Sequence, residues 1–327
     1  MYLYKYSSED NMSNVSVYGL TVNYASAPIG VDSLPRFSYK IKSDVRGDRQ
    51  LSRRIKVYSD AERKTVVWDE GEQTTENQLF VPYAGEGLLP VTKYYFSVTV
   101  RTASGAEATA ESEFVTGKLD KRWTGKWITA QYVRREDDAF GAVYLRKTFE
   151  ITKPVLQAYL CICGLGYFES RINGEKTGDD LLSPAFTDFS KTDSYMMYDV
   201  KSLLCQGKNA ISVILGVGWY NCFADDPWNT RAATWRHWPK MICELKLTYA
   251  DGTEEKLVSD TSWKGGKGPI FFNGIRNGEH YDARLELGDW ESPDFDDSKW
   301  QSTKIVKSPG GALRAMEMPP IKIYKSF

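Results

Sequence analysis

The sequence predicts an all-β protein built as two successive β-sandwiches. Three observations carry that prediction. Apolar residues alternate with polar ones over runs of five to eight residues, as in half-buried strands. Turn signals separate those runs at short, regular intervals. No stretch sustains the 3.6-residue period of an amphipathic helix.

In the first sandwich, expected over residues 15–117, Phe37, Tyr39 and Ile41 alternate with polar neighbours, and so do Ile55 and Val57. Tyr94, Phe96, Val98 and Val100 alternate with Tyr95, Ser97, Thr99 and Arg101. Asp69-Glu70-Gly71 and Ser104-Gly105 are turn sequences between such runs. Residues 1–14 are polar and read as a flexible N-terminus. Residues 118–126 (KLDKRWTGK) read as a charged linker.

The second sandwich is expected over 127–308. Its central stretch runs from Gly164 to Tyr220. Phe168, Ser170 and Ile172 alternate with Tyr167, Glu169 and Arg171, and Asn173-Gly174 follows. Asn-Gly is a strong short hairpin signal, because both central residues of a type I′ turn take positive φ. Asp199 is placed to cap a short helical turn ended by Gly207, before an apolar strand that runs into Gly216-Val217-Gly218-Trp219-Tyr220. A further hairpin turns at Asp251-Gly252, and Asp296 and Asp297 are placed to cap a turn and pin the domain end. Many strands, long loops and almost no helix favour a jelly-roll-like sandwich. Residues 309–327 read as a C-terminal strand leading to a further domain.

Bulk composition narrows the function classes. The chain has 327 residues, of which 42% are hydrophobic and 26% charged, enough for two folded domains. A net charge of −1 gives no basic face for nucleic acid. No apolar run is long enough to span a membrane, and the N-terminus lacks a signal-peptide core, so the expected location is cytoplasmic. Five cysteines without a regular framework fit a reducing compartment, with Cys161 and Cys163 as small core residues. Two histidines leave little material for a zinc site or a nucleophile triad.

Two resemblances follow from short motifs. Leu88, Pro90, Thr92 and Tyr94 form L-x-P-x-T-x-Y before an alternating strand, which resembles the fibronectin type III pattern. In that fold the tyrosine, here Tyr94, bonds back to nearby backbone at the sandwich corner. Across nearly the whole chain, PRFSYKI, WI, GLGYFESRINGEKTGDDLLSPAFTDFSK, YMMYDV, LGVGWYN, SDTSWK, GPI, GEHYDAR and FDDSKW occur in order. Together they resemble the N-terminal part of bacterial α-L-rhamnosidases. The resemblance implies a fibronectin-like domain followed by a jelly-roll (galactose-binding-like) domain. In that family an all-helical barrel carrying the catalytic carboxylates follows, and this chain has no such helices. It further implies a rhamnose-binding role that uses calcium, with Asp179 and Asp180 at the ion, and a downstream catalytic domain as partner.

Two stretches carry candidate chemistry. Asp179 and Asp180 are adjacent, so their charges repel unless a cation or donors compensate. Calcium would supply that cation through six to eight oxygen ligands; a solvated acidic turn is the alternative. The segment 219–238 holds Trp219, Tyr220, Asn221, Trp228, Asn229, Arg231, Trp235 and Trp238. It is long, rich in Asn and Asp, and aperiodic, which marks a loop of the kind that often carries function. Rings that pack on the C–H face of a pyranose, beside Asn and Arg that bond hydroxyls, would make a site for a rhamnose-containing or plant glycan. The alternatives are rings packed under the loop, or a module that only docks against a catalytic barrel or partner subunit. A free-standing glycosidase would need two opposed carboxyls, with Asp179, Asp180, Asp225, Asp226, Glu279 and Asp282 as candidates.

Overall fold

A computed structural model of the chain describes residues 14–133 and 141–325. The chain divides into two compact units, residues 1–119 and 120–327, so the division falls inside the expected linker. The expectation for residues 1–14 lies outside the described residues except for Asn14, whose carbonyl accepts a hydrogen bond from the Asp44 amide.

The first unit is a sandwich of two sheets. One is ordered Val15–Val22, Arg36–Ser43, Val81–Pro82. The other is ordered Ile29–Val31, Glu107–Thr116, Lys93–Thr102, Gln50–Tyr58, Val66–Asp69, with Gln73–Thr74 also on Gln50–Tyr58. Alternation sets the core: Phe37, Tyr39, Ile55, Val57, Phe96, Val98, Val100 and Phe114 turn inward and are buried together. Such rings and branched chains each contribute about 1.5–3 kcal/mol on burial. Tyr94 closes the corner, its hydroxyl accepting from the Leu89 amide at 2.9 Å.

The second unit is a larger sandwich. Its seven-stranded sheet runs Lys304–Ile305, Ile128–Thr129, Lys240–Tyr249, Val155–Leu165, Thr192–Asp199, Ala312–Ala315, with Glu254–Val258 on Lys240–Tyr249. The facing sheet runs Glu175–Lys176, Tyr167–Ile172, Gly207–Gly216, Val143–Ile151, Lys264–Gly266, Gln301–Ser302. Between them pack Leu145, Leu160, Ile162, Ile172, Ile211, Val213, Leu215, Met241, Leu245 and Trp263. Asn173 and Gly174 turn the hairpin with φ of 52° and 88°, and Ile172 pairs with Glu175 across it. The side chain of Asn173 fixes the turn further by donating to the Leu203 carbonyl and the Asn209 amide oxygen. Among the described residues helix is confined to three 3-10 turns, Lys201–Leu203, Thr230–Ala232 and Ala283–Leu285. The first takes an Asp199 carboxylate on the Lys201 amide.

Two features add to the sequence reading. Residues 309–325 supply strands to this unit: Ala312–Ala315 pairs in parallel with Thr192–Asp199, and Ile321–Lys322 pairs with Asp180–Leu181. The seven-stranded sheet is also covered on its outer face. Leu160 and Ile162 face the inter-sheet core while Cys161 and Cys163 alternate with them, yet both cysteines are buried. Glu244, on that outer face, accepts from Thr124 and the Gly125 amide, and Trp123 packs edge-on against Tyr195. A strand buried on both faces reads as a continuous apolar run, which is what residues 158–165 show.

Candidate functional site

The covering of that outer face is completed by residues 217–238, the aromatic loop. Gly216 ends the apolar strand, and Gly218 takes a left-handed φ of 51° where a Cβ would lie 2.9 Å and 3.0 Å from the backbone of residues 166 and 167. A side chain at that position would meet backbone, so the close crossing requires glycine.

The loop divides its residues between inside and outside. Tyr220 and Asn221 are fully buried, which corrects the expectation that they line a ligand wall. Tyr220 packs edge-on against Phe189 with centroids 5.2 Å apart, above the Lys240 ammonium at 5.7 Å. Trp238 also turns inward, against His237 and under the Lys304 ammonium, and joins the rim of the inter-sheet core. Trp235 packs between Phe186 and Phe189. Asn229 supplies a left-handed residue, φ 53°, at the start of a 3-10 turn. Arg231 is paired with Asp225 at 3.5 Å in solvent.

Trp219 and Trp228 remain, and the fold joins them through a residue the sequence reading did not single out. Arg276 lies at the tip of the hairpin formed by Ile270–Gly274 and Gly278–Tyr281. Its guanidinium carbon sits 5.6 Å from the Trp219 ring centroid and 5.4 Å from that of Trp228. Cation–π attraction of this kind is worth about 0.5–1 kcal/mol per exposed contact. Trp228 is 74% exposed, and Phe186, 52% exposed, extends the surface by packing against Trp219. The hairpin is held to the loop by the Asn273 side-chain oxygen, which accepts from the Val217 amide at 2.7 Å, and by Phe223 against Phe272. Asn277-Gly278, an Asn-Gly pair with Gly278 at φ 81°, was the available sequence signal for this hairpin.

Beneath the loop lies a buried charge pair. Asp193 is fully buried and no hydrogen-bond partner reaches either carboxylate oxygen. Burial pushes its pKa up to about 7, against the opposing pull of the Lys240 charge. Lys240 donates to the Lys307 carbonyl at 2.9 Å, and burial lowers its pKa to about 8 while Asp193 raises it. His237 is lowered to about 4 by burial, and next by the charges of Lys240 and Lys304. The Tyr220 hydroxyl and both ends of the Asn221 amide are likewise buried without a partner.

The acidic pair stands elsewhere, on the short strand that meets the chain's last strand. Asp179 is paired with Lys322 at 2.6 Å, which holds its carboxyl below the ordinary range. Asp180 accepts from the Tyr198 hydroxyl at 3.0 Å. The lysine supplies the positive charge that the pair requires, and among the described residues no group of three acidic, histidine or cysteine side chains converges for a metal. A calcium ion at this place would compete with Lys322 for the Asp179 carboxylate. Of the remaining acidic candidates, Asp226 accepts from the Trp228 amide and Asp282 pairs with Arg284 at 2.6 Å, while Glu279 is exposed on its hairpin.

Comparison with known proteins places this geometry. The sequence profile of the α-L-rhamnosidase N-terminal domain matches residues 153–325, and that of a Rha78A-like N-terminal immunoglobulin domain matches residues 17–120. An α-L-rhamnosidase of Formosa agariphila is 36% identical over 336 residues, covering 94% of this chain and 35% of that protein. Another from Streptomyces avermitilis is 24% identical, covering 95% of this chain and 48% of its own. The structure of α-L-rhamnosidase from Dictyoglumus thermophilum aligns with a TM-score of 0.85 and 34% identity over 95% of this chain and 36% of that one. The Streptomyces avermitilis enzyme complexed with L-rhamnose aligns at 0.86 with 22% identity, over 95% of this chain and 47% of that one, a likeness of fold. The chain therefore spans between a third and a half of these relatives.

Proposed function

The chain belongs to the α-L-rhamnosidase N-terminal domain family, and from that premise we propose that it is the non-catalytic front of a rhamnosidase-type glycoside hydrolase. Its second unit holds a rhamnose-containing or plant glycan on the surface of Trp219, Trp228 and Arg276, beside a catalytic domain downstream. The observation that carries this reading is the exposed Trp228 ring, with the Arg276 guanidinium 5.4 Å from its centroid. A large ring left in water is costly unless a ligand covers it, and an indole face with a nearby donor matches the C–H face and hydroxyls of a pyranose.

Against hydrolysis by this chain alone stands the chemistry of its carboxylates. A glycosidase needs two opposed acids, one kept protonated. Burial raises the pKa of Asp193 and of Glu291, but Asp193 is sealed beneath the loop and Glu291 is paired with Arg171 at 3.3 Å. Calorimetric or NMR titration with L-rhamnose tests the proposal, with calcium and then with a chelator. Heat or shifts that persist in chelator and vanish in Trp228→Ala are expected. No response at millimolar sugar would end the carbohydrate reading. Turnover of an aryl rhamnoside, abolished by one carboxylate substitution, would overturn the non-catalytic one.

A second reading, docking without a ligand, is favoured by the apolar side chains exposed on the same hairpin, Phe271, Ile275 and Tyr281. It predicts no response to sugar in either titration.

A further inference from the structure

We propose that the Trp219–Arg276–Trp228 surface selects an anionic pyranose, a uronate whose carboxylate is taken by Arg276. This rests on the carbohydrate reading of that surface and names the chemical class of its ligand.

Arg276 stands apart from most other arginines of the second unit. The residue is exposed, and among the described residues its guanidinium donates to no carboxylate, carbonyl or hydroxyl. Most other arginines of the second unit are engaged: Arg146 with Asp297, Arg171 with Glu169 and Glu291, Arg231 with Asp225, Arg284 with Asp282, Arg314 with Asp120. Arg276 instead sits within cation–π range of two indoles, which leaves its N–H groups open to a ligand. An arginine held this way has already lost much of its rotamer freedom, so less entropy is lost when it binds. Its planar fork matches a carboxylate in bidentate geometry, and such charge-assisted bonds are roughly twice as strong as neutral ones.

The surroundings agree. Asp226 is the acidic neighbour that feels the Arg276 charge, but its carboxylate is bound to the Trp228 and Thr230 amides. It balances the arginine at longer range without filling the fork. The indole of Trp228 then offers an apolar face beside the cation. A sugar ring laid on that face brings a substituent at its C6 carbon toward the guanidinium. A neutral CH2OH group would gain one ordinary hydrogen bond there, whereas a carboxylate would gain two charged ones.

The test uses the whole chain and a matched pair of ligands, methyl D-galacturonoside and methyl D-galactoside, which differ only at C6. L-Rhamnose and sodium acetate complete the set. Binding is read by NMR of the tryptophan side-chain signals at low and high salt. The expected result is a uronide preference on the order of tenfold at low salt, reduced by salt and abolished in Arg276→Gln. Thermal unfolding of that variant should fall by no more than the loss of its two exposed ring contacts, because the hairpin tip is exposed. Equal binding of the two galactosides, or acetate binding as well as the uronide, overturns the inference. If L-rhamnose still binds in that case, the carbohydrate reading stands alone. If no sugar binds, both fall.

Discussion

Two tryptophan-rich segments of the second unit, each with an adjacent pair of aspartates, have opposite fates. Residues 290–300 (WESPDFDDSKW) fold onto the sheet around Arg146, a fully buried arginine. Its guanidinium donates to the carbonyls of Trp290 and Ser292 and pairs with Asp297, while Asp296 accepts from the Ser298 amide. Trp290 stacks on Trp300 at 5.8 Å and meets Tyr144 edge-on. Residues 217–238 have a similar mix of rings and acids, but their polar atoms are not closed in this way. Tyr220, Asn221, Trp235, His237 and Trp238 each carry a buried polar atom without a partner, and Trp228 stands in solvent. The difference teaches that composition does not decide whether an aromatic loop becomes core or surface. What decides it is whether the sheet beneath supplies a donor that satisfies the loop's backbone. Arg146 does so for one loop; the pair Asp193 and Lys240 leaves the other incompletely satisfied.

The largest test of that contrast is Arg146→Met. Removing the donor leaves Asp297 and two carbonyls unpaired, and breaking a buried pair in this way costs about 3–5 kcal/mol. Urea unfolding should show that loss. A loss under about 1 kcal/mol would mean that the 290–300 segment is held by ring packing alone.

The next effect is expected from pH. The folded-state pKa of Asp193, about 7, lies above the ordinary carboxylate value, so the folded chain binds this proton more tightly than the unfolded one. The resulting stability is present at acid pH and is lost as pH rises from about 4 to about 7, by up to about 1.4 kcal/mol per unit. His237, with a lowered pKa, acts in the opposite direction below pH 6.5. Asp193→Asn isolates the carboxylate, since His237 is common to both proteins. The stability difference should move in favour of the variant between pH 4 and 7. A flat difference curve would show that the Asp193 carboxylate is not held in this environment.

The smallest effects belong to the loop itself. Tyr220→Phe removes a hydroxyl that has no partner, so stability should change by less than about 1 kcal/mol and in the favourable direction. A clear loss would reveal a partner under the loop. Trp228→Ala should stay within about 0.5 kcal/mol in thermal unfolding, as for an exposed side chain outside the core. A larger cost would make that ring part of the fold.

Much of the architecture was legible in the residues. Period-two alternation in Tyr94, Phe96, Val98 and Val100 sets an inward face whatever the neighbours are, because successive side chains of a strand point to opposite sides. Asn173-Gly174 turned where it had to, because few residue pairs accept two positive φ angles. Lone local patterns were weaker guides to the site. Trp219, Tyr220 and Asn221 are consecutive, yet Tyr220 and Asn221 are sealed against Phe189 and the sheet while Trp219 reaches Arg276.

What the sequence by itself determined, then, is the β character, the two sandwiches and the aromatic loop, since these follow from periodicity and from turn chemistry acting within a few residues. Only the tertiary structure decided that Lys322 would answer Asp179, that Arg146 would close one loop, and that Arg276 would lie between two tryptophans. Each of those contacts joins residues more than forty positions apart. Charge and ring contacts of this range depend on how sheets stack and where hairpins land, and no local pattern in the chain encodes that.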